Sequence, residues 1–394
     1  MFYGQFGLVS SVFKGGSAIP SISLKDQLPS TNAARIAWPD YARGFAIILV
    51  VFRHLIEGLN RADLDIGIYK HADTINVYFS GFRLPAFFIV AGVLAAHSLK
   101  LKTPGAFVSH RAAVILYPYL LWGSAQLALQ LAFPQWVNAK RSITDYSHLL
   151  YLPRTIDQFW YLYAVFNISV LFVILLRGLK IPAVFHLIAG VVFYLLDVYL
   201  QRLQIETGFL HDILHYYLFF ALGVFCSEFL LDPKNAPMLS SDNVLIVTLV
   251  FFLLCQGLFS VGAPAKDMAY FEFFTTHNPV LFFIMAISGA GFLIAFSFWL
   301  SRKQALVVIQ KIGGWSLYIY LWHVFFIAAL RIVLVRLLHI ENVHLLVWLG
   351  MAVGITMPIL LFRLSSRHSW QWLYRAPTLF GTKRNPSSIQ YAKV

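Results

Sequence analysis

Arg43 and His54 stand eleven residues apart in the apolar stretch WPDYARGFAIILVVFRHLIE, and that spacing is the first chemical signal in this sequence. On an α-helix eleven steps of about 100° make three turns and about 20° more, so both side chains share one face, about 16 Å apart along the axis. Asp40 lies three residues before Arg43, on nearly the same stripe. A guanidinium can grip a phosphate or carbonyl oxygen through charge-assisted hydrogen bonds. An imidazole can move a proton at neutral pH or carry a transferred group. Taken singly, Arg43 reads as a cation reaching for a membrane interface and His54 as a histidine hydrogen-bonded between helices. Their alignment on one apolar helix is what points to function, because ionisable groups inside a span are costly.

Other polar residues interrupt apolar runs. Arg83, in FRLPAFF, has no acidic residue near it in its own segment. It requires either an oxyanion or substrate, or a carboxylate such as Glu57 from elsewhere. His323 closes the run SLYIYLWH and falls near the middle of a span. Asp157-Gln158-Phe159-Trp160-Tyr161-Leu162-Tyr163 opens another; its aromatics fit an interfacial belt or a platform for a sugar. His211 and His215 have the His-x-x-x-His spacing of a metal pair, but no third ligand accompanies them, so no metal centre is expected. Phosphate-cradling glycine loops and a GxSxG elbow are missing.

The elements that carry these residues follow from composition. Of the 394 residues, 59% are hydrophobic and only 12% charged, against about 25% charged in soluble domains. Mean hydropathy is +0.71. A soluble globule cannot cover its surface with so few charges, so the fold class expected is all-α, a polytopic membrane helix bundle. A span needs about 20 apolar residues, and ten segments qualify: 38–57, 76–96, 112–133, 158–176, 181–200, 210–230, 243–262, 278–300, 314–335 and 343–362. Pro182, Pro279 and Pro358 fall near span ends, while Pro85 and Pro118 predict kinks. Cys226 and Cys255 lie in apolar stretches and imply no disulfide framework.

On this layout nineteen of the thirty Lys and Arg residues fall on one side and nine on the other, with Arg53 and Arg83 inside spans. The positive-inside rule then puts both termini in the cytoplasm. It also accounts for the net charge of +13 without nucleic acid. Residues 1–37 read as a disordered cytoplasmic leader, 38–363 as the membrane domain and 364–394 as a cytoplasmic tail.

Four motifs, in order, resemble the membrane acyltransferase-3 family of ten-helix O-acyltransferases: the Arg43-x10-His54 pair, FRLPAFFIVAG, FWYLYAVF and SLYIYLWH. The likeness covers about residues 34–365. Leu84 and Ala91 depart mildly from the family pattern, and Val114 stands where a second arginine is common. The resemblance implies transfer of an acyl group, acetyl by preference, from cytoplasmic acyl-CoA, with no bound cofactor, to a hydroxyl of a glycan or lipid-linked saccharide outside the cytoplasmic (inner) membrane. It implies His54 and Arg43 as catalytic residues, Arg43 and Arg111 on the donor, and Arg83, Trp160, Tyr163 and His323 on the acceptor side. A secondary transporter using the intramembrane His and Arg residues as a substrate or proton path is the alternative. Such transporters usually show two related halves, which this sequence lacks.

Overall fold

The computed structural model describes residues 36–62, 64, 69–136, 140–262, 276–368 and 370–377. The expected leader, apart from its last two residues, and the last part of the expected tail lie outside these. The described chain is helical, with no strand. Its helices are α1 (Trp38–Asn60), α2 (Lys70–Leu101), α3 (Pro104–Arg111), α4 (Tyr117–Ala132), α5 (Asp145–Tyr151), α6 (Trp160–Val173) and α7 (Ala183–Arg202). There follow α8 (Phe209–Leu231), α9 (Asp242–Gly262), α10 (Pro279–Lys303), α11 (Val307–Gly314), α12 (Ser316–Arg331) and α13 (Val343–Arg367).

Eight helical segments among the described residues are long and apolar enough to cross a membrane, or nine if the pair Pro233–Leu239 and Asp242–Leu258, bent by 62°, is one span. The expectation was ten. The difference is α1, whose 23 residues are long enough but carry Asp40, Arg43, Arg53 and Glu57. The charges that make α1 chemically interesting are those that keep it out of a count based on apolarity. Helices α7 and α9 turn large side chains outward, among them Ile188, Val192, Leu195, Val247, Phe251 and Leu254. Such faces are stable against lipid and not against water, so this is an integral membrane protein.

Pro118 has no N–H for the carbonyl four residues back. Just before it the helix opens into a π-helical turn, Ala112–Leu116, directly after Arg111. Pro85, by contrast, is carried inside the continuous α2. Pro358, expected near a span end, is interior, because α13 runs on to Arg367.

Helix α1 packs against α2, α10, α11, α12 and α13. Its first turns join the apolar cluster built on α2, α8 and α10, through Trp38 and Ala42. Its later turns, with Ile47, Val51 and Leu55, join a second cluster with α12 and α13. The contact with α11 is very close: a Cβ on Gly44 would strike the Ile309 backbone, and one on Gly313 the Asp40 backbone. Gln304 and Leu306, both at positive φ, turn the chain from α10 into α11, and Tyr41 donates a hydrogen bond to the Ala305 carbonyl at 2.7 Å. Gly313→Ala should therefore push α11 off the Asp40–Gly44 turn and cost about 1–3 kcal/mol. A lowered melting temperature of the detergent-purified protein would register it; an unchanged one would mean that α11 yields freely.

Candidate active site

The C-terminal turns of α1 form one wall of a cavity of about 1080 Å³. The rest comes from α2, α6, the first turns of α8, Phe282 of α10, α12 and the segments around residues 130–158 and 201–208. Among the described residues six arginines line it, Arg53, Arg61, Arg83, Arg141, Arg154 and Arg331, against three carboxylates, Glu57, Asp157 and Glu206.

His54 belongs to this wall. Its Nδ1 lies 3.6 Å from a Glu57 carboxylate oxygen, three residues on and so on the same helix face. Glu57 is shared with Arg53 at 3.8 Å and Arg61 at 2.5 Å. On the other side the ring of His323 approaches His54, with centroids 5.3 Å apart. His323 is fully buried, and its Nδ1 faces the carbonyls of Ile319 and Tyr320 at 2.9 and 3.0 Å. Carbonyls only accept, so Nδ1 carries the proton and Nε2 a lone pair, and that Nε2 has no partner.

Arg83 lies 1% exposed. Its guanidinium donates to the Leu49 carbonyl at 3.3 Å and to Ser80 Oγ at 3.4 Å, and its Nε is left without a partner. It forms no ion pair among the described residues, so Glu57 is a neighbour in its field and not a bonded counter-ion.

Asp157, at the entrance of α6, has φ +50°. It accepts from Gln126 at 2.7 Å and from Gln130 and Arg141 at 3.1 Å. Aspartate tolerates this left-handed conformation better than most residues. Trp160 follows and does line the cavity, but the Arg154 guanidinium sits over its ring at 4.3 Å. A surface expected as a platform for sugar thus carries an arginine, which in turn donates to Asp212 at 2.7 Å. Tyr161, which the motif reading passed over, lines the cavity as well. Tyr163 is two residues on, about 200° around the helix. It stands away from the cavity, stacked on Tyr119 at 5.0 Å.

Arg43 and Arg111 are not cavity residues. Arg43 is paired with Asp40, as the three-residue spacing allows, and the two arginines act together on the Tyr161 phenol. Tyr161 thus lines the cavity of His54 and Arg83 and lies in the fields of Arg43 and Arg111, which do not line it. A basic region forms around α3 and draws in chain that is distant in the sequence. Chain beyond α13 folds back onto α4 and the π-turn: Trp122 Nε1 donates to the Leu373 carbonyl at 2.7 Å, and the Ala376 amide to Ala113 at 3.0 Å. This brings Arg375 to Lys102 and His110, which also lie in the field of Arg111. Burial, then the fields of Arg111 and Arg375, pull the Lys102 ammonium below its ordinary value.

Residues 36–363 match the family described as "Acyltransferase domain". The chain belongs to the acyltransferase-3 family. It is similar to nodulation protein NolL of Sinorhizobium fredii, 24% identical over 230 residues, which is 57% of each chain. It is also similar to nodulation protein NolL of Mesorhizobium japonicum, 29% identical over 134 residues, 32% of each chain. The chain thus spans little more than half of the first relative and a third of the second. No solved structure matches it. The four motifs of the family resemblance fall on α1, α2, α6 and α12, and residues of all four line the cavity.

Proposed function

We propose that this protein is a membrane O-acyltransferase. It moves an acyl group, acetyl by preference, from acyl-CoA on the cytoplasmic side of the inner membrane to a hydroxyl of an extracytoplasmic glycan or lipid-linked saccharide. The observation that carries the proposal is the placement of His54, backed by Glu57 and opening on the cavity that contains Arg83. With Nδ1 turned to the carboxylate, Nε2 is free to take the proton of an acceptor hydroxyl. The oxygen then attacks the thioester carbonyl, and the Arg83 guanidinium stabilises the oxyanion that forms. Collapse breaks the C–S bond, and the departing thiolate recovers the proton from His54.

Two-sidedness supports the same reading. The connections that wall the cavity are those assigned outside by the Lys/Arg distribution. Arg43, Arg111, Lys102 and Arg375 gather at the opposite end, a cationic setting for the phosphates of a CoA. Reporters fused at residue 394 or in the 100–104 connection are expected to be cytoplasmic, and one in the 138–148 connection external. A tail reporter found outside would reverse this assignment.

The direct test compares O-acetyl content of cell-surface glycans in cells with and without the chain, and follows labelled acetyl-CoA into them in membrane vesicles. Equal O-acetyl content and no label transfer would remove the proposal. Within it, Arg43→Lys keeps the charge but loses the planar fork. The donor KM should rise about tenfold, the equivalent of one lost charge-assisted hydrogen bond, with membrane insertion unchanged. A donor KM at the wild-type value would show that Arg43 serves Asp40 alone.

A further inference from the structure

Asp197 on α7 is completely buried, yet three side chains converge on it. His211 Nδ1 lies 2.7 Å from one carboxylate oxygen. His215 Nδ1 and Gln201 Nε2 lie 2.9 and 2.6 Å from the other. Local sequence makes this possible. Asp197 and Gln201 are four apart on α7, and His211 and His215 four apart on α8, so each pair shares a helix face. Gly208, at φ +58°, starts α8, and a Cβ there would strike the Tyr151 carbonyl. The first two turns of α8, with both histidines, are thereby set at the cavity wall. Gln201, His211 and His215 all line the cavity that His54 lines.

A histidine that fastens two membrane helices together can engage both of its nitrogens. His186 in this protein does so: Nδ1 meets the Tyr217 hydroxyl at 2.6 Å and Nε2 the Ile181 carbonyl at 3.3 Å. His211 and His215 differ. A carboxylate only accepts, so Asp197 fixes the proton on each Nδ1 and leaves each Nε2 with a lone pair; the Gln201 amide, 3.4 Å from His211 Nδ1, is already committed to Asp197. Neither Nε2 has a hydrogen-bond partner among the described residues, and neither is sealed from the cavity. The rings are 5.5 Å apart. These are two adjacent, pre-oriented acceptors facing a space large enough for a ligand.

What binds two acceptors must donate. An ammonium is disfavoured by six arginines on the same walls, and an unprotonated anion has no hydrogen to donate to two lone pairs. Hydroxyls remain. Resting on the reading of this cavity as the acceptor side, we propose that Asp197, His211 and His215 form a saccharide-binding subsite. Two hydroxyls of a neutral sugar donate to the two Nε2 atoms, beside Arg154 and Tyr216. The subsite is separate from His54 and holds the sugar without taking its proton. His211 and His215 are substrate-binding residues, and Asp197 is a positioning residue acting through them.

Diethyl pyrocarbonate labels imidazole lone pairs, and peptide mass spectrometry reads each histidine of the nanodisc-embedded full chain separately. His211 and His215 should label faster than His186. At least one of the methyl glycosides of glucose, galactose, mannose, fucose and N-acetylglucosamine should slow both by about threefold at twice its dissociation constant. In His211→Gln, at the more exposed of the two positions, the glycoside concentration that protects His215 should rise about tenfold. Asp197→Asn should weaken protection at both histidines. If burying an amide there prevents folding, the His211 variant still decides. Labelling no faster than at His186, labelling that no glycoside slows, or protection by inorganic phosphate alone would overturn the subsite. His54→Ala should keep the protection. Protection in the wild-type protein without any acyl transfer would sink the acyltransferase proposal and leave the subsite. Transfer without protection would do the reverse.

Discussion

His54→Ala is expected to abolish acyl transfer while the protein accumulates in the membrane as before. One imidazole contributes little to the apolar length that drives insertion, and His54 is only partly buried, at the edge of the cavity. Its chemical role has no substitute nearby. His323 is the nearest imidazole, but its protonated Nδ1 is tied to two backbone carbonyls and it does not line the cavity. Loss of a general base costs about 10²–10⁴-fold in rate; loss of a covalent acyl carrier should cost more. The measurement is label transfer from acetyl-CoA in vesicles, normalised to the amount of inserted protein. His323→Ala is the comparison: emptying a fully buried site should lower thermal stability, with transfer falling less than for His54→Ala. Near-normal transfer in His54→Ala would end the assignment and bring the transporter reading forward.

The second large effect is expected at Arg83. A cation 1% exposed in a helix bundle, without a carboxylate bonded to it, is expensive to keep. The two bonds it makes, to Leu49 and Ser80, are long for charge-assisted ones. Its placement thus leaves donor capacity for a charge that appears only during reaction. Arg83→Lys keeps a charge but shortens the reach and removes the fork, and turnover should fall about 10²–10³-fold, the usual loss for an oxyanion donor. Because Arg83 also ties α2 to α1 through Leu49, turnover must be read beside the melting temperature. A large fall in kcat with little change in melting is the expected pair of results. Wild-type kcat in Arg83→Lys, or transfer lost only in step with folded protein, would make Arg83 a strut between helices. Ser80→Ala, which removes one of the two bonds, should leave kcat within a few-fold.

The sequence by itself determined the class of the fold, since 12% charged residues can cover no water-soluble surface of this size. It also determined the family, through four motifs whose residues now meet around one cavity. Helical periodicity alone placed Arg43 and His54 on one face of α1, because a single helix needs only its own 3.6-residue repeat to align them. What partners those residues have is a matter between helices, and only tertiary structure decided it. Arg43 and His54 share a face yet serve different spaces, because the cavity reaches only the later turns of α1. His323, one uncommitted histidine in a row of aromatics, became the neighbour of His54 through the packing of α12 on α1. Trp160 kept its place on the wall and lost its open ring to Arg154, a residue from the preceding connection. The pair His211 and His215 looked like half a metal site, because nothing along α8 reveals that both imidazoles meet the Asp197 carboxylate of α7. Asp197 stands fourteen residues before His211 on another helix, and the α7–α8 packing that joins them follows no motif. Arg375, beyond the family match, came to Lys102 and His110 with a backbone hydrogen bond from the Ala376 amide to the Ala113 carbonyl. Bonds of that kind carry no side-chain signature, so no reading of residue types could have found them.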